Sequence, residues 1–159
     1  MIRQTIYASL LLLILLLAGC GGTRTYDNIS SDVKYAHLIG TQYKTLQKLR
    51  LQGVTLDRNY RKKIDVYNVG KYPGSSGPEI ILGRELQLGS IIKVKAVLRC
   101  NNCPFGSLIT VEIEILSEDL EDGVPIRLYT MLVEDAAGRV ILDPKFLIQI
   151  DGIDGVRVN

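Results

Sequence analysis

One histidine, three cysteines and no long hydrophobic run: each scarcity in this chain removes a class of chemistry. A Ser-His-Asp arrangement would have to be built on His37, and no Gly-x-Ser-x-Gly turn is present to seat a nucleophile. No glycine-rich phosphate loop follows a predicted strand. The formal charge of +2 is too small to imply a nucleic-acid partner. The acidic run Ser117–Gly123 lacks the alternating ligand spacing of an EF-hand loop and reads as a solvated connection before Pro125. Asp151 and Asp154 read as turn residues. The expectation is a protein that is not an enzyme and that carries no cofactor and no metal. The longest apolar run, Ala8–Ala18, has eleven residues. As a helix it spans roughly 16 Å, about half of a bilayer core, so it suits a secretory signal better than a membrane span.

Arg3 is the only charge before that run, and Leu17-Ala18-Gly19-Cys20 closes it. This ending resembles the lipobox of bacterial lipoproteins, over residues 1–20 and no further. The resemblance implies that residues 1–19 are a signal peptide and that Cys20 becomes the first residue, carrying a diacylglyceryl thioether and an acylated amino group. It also implies an oxidising compartment. Gly21 stands where an aspartate retains enteric lipoproteins at the inner membrane, so the implied address is the outer membrane, facing the periplasm. Each buried methylene contributes about 0.8 kcal/mol, which makes several chains a stable anchor where one is marginal.

The processed chain would hold 140 residues, Cys20–Asn159, with formal charge +1 once Arg3 is removed. Residues 20–32 are small and polar and read as a flexible tether with a mean reach of about 20 Å. Residues 33–159 read as a single β-rich domain. Strands are favoured over residues 33–56, with a short helix near 32–47 as the alternative. Tyr72–Pro78 holds two prolines and two glycines and reads as a loop. Further on the period of two is plain. Ile92, Val94, Ala96 and Leu98 share one face of a strand. Ile109, Val111, Ile113 and Ile115 face inward on the next, with Glu112 and Glu114 outward. Lys93 and Lys95 would then oppose Glu112 and Glu114 across a hairpin. Ile126–Val133 and Val140–Leu142 make another hairpin around a turn at Gly138, and Phe146–Ile150 is the last strand. The expected fold is all-β, a small antiparallel sandwich or an SH3- or OB-like barrel.

Cys100 and Cys103 sit between two predicted strands, in a loop closed by Pro104 and Gly106. Positions i and i+3 of a turn are spaced for a disulfide, which the implied compartment favours. Two other uses stay open: a redox pair helped by Arg99, and a shared or transient metal site. A closed zinc site is short of ligands with two cysteines and His37.

Charge is laid out unevenly. Residues 34–99 carry thirteen bases against four acids, and residues 112–154 carry eleven acids against three bases. The cluster Arg58, Arg61, Lys62 and Lys63 is the best candidate for an anionic envelope surface or an acidic partner. The plainer expectation is that the two halves neutralise each other across the sheet. Together these features point to a membrane-anchored, non-catalytic interaction or assembly module whose partner is another envelope component. The alternative is a periplasmic thiol-disulfide or metal-handling protein built on Cys100 and Cys103. A hydrolase using His37 or close carboxylates is a third.

Overall fold

Period-two alternation builds almost everything in the computed structural model, which describes residues 24–57, 59–60, 62–103 and 108–150. The strands are β1 (Tyr26–Asn28), β2 (Gln42–Thr45), β3 (Leu49–Val54), β4 (Val66–Lys71), β5 (Ile80–Leu86), β6 (Ile91–Cys100), β7 (Ile109–Ile115), β8 (Ile126–Leu128), β9 (Leu132–Glu134), β10 (Val140–Leu142) and β11 (Leu147–Ile150). The fold is all-β as expected. Between residues 32 and 47 the helical alternative shrinks to one 3-10 turn, Ala36–Leu38, and Gln42–Thr45 is a strand. Among the described residues no helix is long and apolar enough to cross a membrane.

Among the described residues nine strands form one sheet in the order β11-β2-β6-β7-β8-β4-β3-β5, with β1 added to β6, and β9 and β10 pair separately. Two features depart from the expected antiparallel sandwich or closed barrel. β8 runs parallel to β4, and the ladder is open, with β11 and β5 unpaired to one another at its ends. The sheet nonetheless curls. Only residues 46–48 link β2 to β3, and only 87–90 link β5 to β6. Thr45 ties this corner: its N–H donates to Ser90, its carbonyl accepts from Gly89, and its hydroxyl donates to Gln87. Inside the curl lies one core, in which Leu38, Leu49, Leu51, Val69, Ile92 and Leu147 are buried. Each such side chain contributes roughly 1.5–3 kcal/mol when fully removed from water.

β7 follows the expected alternation: Val111, Ile113 and Ile115 are in the core, while Glu112 and Glu114 point outward. β6 follows it only as far as Val94. A bulge at Lys95 shifts the register, so Val97 takes the next core position. Ala96 and Leu98 move to the outer face. Lys93 does oppose Glu114, but the bulge sets Ala96, not Lys95, against Glu112.

The region read as tether is shorter than its composition suggests. Tyr26–Asn28 already pair with β6, so the ordered domain begins before residue 33. The expected strand Ile126–Val133 is broken in two by Thr130, whose φ of +56° turns the chain from β8 into the β9–β10 hairpin. That hairpin closes as expected, with Gly138 at φ +75°. The Asp135 carboxylate accepts N–H bonds from Ala137 and Arg139 and pairs with the Arg139 guanidinium at 2.8 Å.

Candidate functional site

Cys100 ends β6 and is bonded to Cys103, with 5.8 Å between their Cα atoms. Cys100 is fully buried. In the bridge neither sulfur is a thiolate available to a substrate or a metal. The bridged turn also holds the start of the domain. Tyr26 pairs with Cys100, Asn101 N–H donates to Thr25 O, and Thr25 N–H donates to Asn102 Oδ1. Arg99, the base beside Cys100, faces Asp27 across the β1–β6 ladder. Cys20, Arg58 and Arg61 lie outside the described residues.

Lys62 and Lys63 are exposed on the β3–β4 connection. Lys63 Nζ lies 3.6 Å from Asp65 Oδ1. The Leu56 N–H, bonded to Asp65 Oδ2 at 2.8 Å, holds that carboxyl below its ordinary pKa against the opposing effect of burial, with help from the Thr55 hydroxyl and Lys63. Among the described residues the two oppositely charged halves of the chain meet in the ion pairs Lys34–Glu134, Lys71–Asp143 and Arg84–Glu118. The expected neutralisation therefore accounts for part of the charge, and Arg50 and Arg127 are outside it. His37 is exposed and its Nε2–H donates to the Val140 carbonyl at 2.8 Å. Among the described residues no three His, Cys, Asp or Glu side chains converge to hold a metal.

The more informative cluster was not singled out by sequence. On the sheet face away from the core, Glu112, Arg127, Asn68, Gln52 and Gly83 stand in register across five adjacent strands, β7, β8, β4, β3 and β5. Arg127 stacks on the Tyr26 ring, 3.8 Å from its centroid. Burial pushes the nearby Tyr129 phenol up, Tyr26 adds to the rise, and Arg127 opposes it. Tyr72–Pro78 begins the connection from β4 to β5. These strands are parallel to each other with β3 between them, so the loop crosses β3 as a strap. Gln52 fixes it, donating to the Ser75 carbonyl at 2.7 Å and accepting from the Ser75 hydroxyl at 3.4 Å. Gly74 is required there: its φ is +84°, and a Cβ would stand 2.7 Å from Arg50 Cγ.

Among the described residues, Arg50 Nε, Asn68 Oδ1 and Arg127 Nε on this face are buried without a hydrogen-bond partner. Buried polar groups are normally satisfied, and each exception calls for an explanation. The sequence signal was weak but present. Gln52 and Asn68 are amides inside otherwise strand-forming runs, LRLQGV and VYNVGK, at positions where one face of a half-wet sheet would tolerate them. The arrangement supplies hydrogen-bond donors and two guanidiniums on a rigid surface, which suits recognition of a polar or anionic group. No protein-family model matches the chain, and neither a curated protein nor a solved structure matches it.

Proposed function

We propose that this protein is a bacterial envelope lipoprotein, anchored through lipid on Cys20 at the outer membrane and facing the periplasm, and that it acts as a non-catalytic interaction or assembly module for another envelope component. The observation that supports the interaction role is the polar face of the sheet, where, among the described residues, Arg50 Nε, Asn68 Oδ1 and Arg127 Nε are buried without a hydrogen-bond partner. Burying such groups costs free energy unless something bonds them, and a docked partner would. The joining of the N-terminal segment to the disulfide turn supports the tethered arrangement, because load on the anchor would be received at Thr25 and Tyr26 by a cross-linked part of the sheet.

The test is photo-crosslinking in intact cells. A photoreactive residue at Ser76, exposed on the strap that crosses the polar face above Arg50, should capture one envelope component. The same residue at Ala137, on the distant β9–β10 turn, should not. Equal capture from both positions, or from neither, would contradict the interaction role. In the same cells Cys20→Ser should move the protein from the membrane fraction to the soluble fraction. Retention of that variant in the membrane would contradict the anchor.

A further inference from the structure

We propose that the free edge of β5 receives an extended acidic segment of the partner, which adds as a further strand and places a carboxylate on Arg50. This inference specifies the partner for the interaction role proposed above, and it does not depend on the lipid anchor.

Among the described residues the edge is open: β5 is the terminal strand of the ladder and has seven residues. Among the described residues, Ile81–Leu86 make no main-chain hydrogen bonds outside the β3–β5 ladder. A terminal strand of this length presents a row of unused N–H and C=O groups, the template used when an extended peptide joins a sheet. Its charged side chains are already neutralised: Arg84 Nη2 lies 2.8 Å from Glu118 and Glu85 lies 2.8 Å from Lys48.

Arg50 specifies the chemistry. Its cross-strand neighbour is Glu85, the natural counter-charge, but Glu85 is held by Lys48. Among the described residues Arg50 makes no ion pair or hydrogen bond, and its Nε is buried. The side chain leaves β3 beneath Gly74 of the strap and lies across Gly83 of β5. A Cβ on Gly83 would stand 2.6 Å from Arg50 Nη2. Two glycines thus clear a bed that carries the guanidinium toward the open edge. A partner strand paired there, with a carboxylate on the outer face opposite Gly83, would give Arg50 the two-pronged bond that its geometry favours. Lys48 and Arg84 are each matched by an acid, so the guanidinium of Arg50 is what gives this edge its sign.

The test uses the full chain in detergent micelles. The probe is a capped six-residue peptide alternating valine with threonine and bearing one central glutamate. Controls replace the glutamate with lysine, or a central valine with proline. The expected result is binding of the glutamate peptide at least tenfold tighter than either control, with slowed amide exchange confined to Ile81–Leu86. Arg50→Gln should remove the preference for glutamate over lysine while leaving the circular-dichroism spectrum unchanged. Equal binding of the three peptides to the natural chain, or of none, overturns the proposal without any variant being made. Protection of Ile81–Leu86 that rises with protein concentration in the absence of peptide would assign the edge to a second copy of the chain and would also overturn it. Binding of the peptide by a protein that proves unlipidated would sink the anchor and leave this inference standing.

Discussion

The side-chain oxygen of Asn102 accepts the backbone N–H of Thr25 at 2.7 Å, across seventy-seven residues of sequence. The bond joins the turn closed by Cys100 and Cys103 to the point where the chain first enters the sheet. The bridge therefore does more than pin the tip of the β6–β7 hairpin. It sets the position of the Asn102 acceptor and of the Asn101 N–H that bonds Thr25 O.

Replacing both Cys100 and Cys103 with serine should lower stability by about 2 kcal/mol, the chain-entropy value for so small a ring. A urea titration measures this. The same variant should show faster amide exchange at Thr25–Asn28 and unchanged exchange in β3 and β4. Uniform loosening of the whole sheet would mean that the bridge does not act locally on β1.

Leu51 and Leu88 separate core from surface. Leu51 is fully buried and Leu88 is 64% exposed. Leu51→Ala should cost about 2–5 kcal/mol through lost burial and the cavity left behind. Leu88→Ala should stay within about 0.5 kcal/mol. Thermal unfolding of the two variants side by side checks the placement of the core inside the curled sheet.

Gly74 holds the strap at a backbone angle that other residues adopt with strain. Gly74→Ala combines that strain with a Cβ 2.7 Å from Arg50 Cγ, and should destabilise by about 1–3 kcal/mol. Circular-dichroism melting measures the loss. Gly123 also has a positive φ, +77°, but open space around its Cβ position, so Gly123→Ala should cost less. Equal losses would show that crowding against Arg50 contributes nothing.

Asp65 carries a pH signature. Its carboxyl is held below the ordinary value first by the Leu56 N–H. A group whose folded pKa is depressed stabilises fully above the unfolded pKa, about 3.9 for aspartate, and loses that contribution as pH falls through the folded value. Asp65→Asn should therefore be less stable than the natural chain at pH 6, and the gap should close progressively below about pH 4. Urea midpoints at pH 6, 4 and 2.5 measure it. A gap that persists at the lowest pH would show that the charge is not its source.

β7 and the first half of β6 were legible in the sequence because one face of each is wet, so charge and apolar side chains alternate. The disulfide was legible because turn spacing fixes the separation of residues i and i+3. The bulge at Lys95 was not, since inserting one residue changes no composition and reverses only the later half of the strand. β1 was hidden for another reason: Tyr26–Asn28 lie in a polar stretch and are held by the edge of β6, not by an apolar face of their own. The parallel pairing of β4 with β8 joins Asn68 to Arg127 across distant sequence, and no local pattern encodes it. The polar face followed from those pairings, so Arg50, Asn68 and Arg127 came together only in the fold. The basic cluster was visible as sequence, but in the structure Lys63 pairs with Asp65, and among the described residues the arginine nitrogens buried without a hydrogen-bond partner are those of Arg50 and Arg127.

The most direct measurement is the mass of the N-terminal peptide of the protein purified from cell membranes. The account predicts a peptide that begins at Cys20 and carries a diacylglyceryl group on sulfur and a fatty acyl group on nitrogen. A peptide that retains Met1, or one that begins elsewhere with Cys20 unmodified, would contradict it.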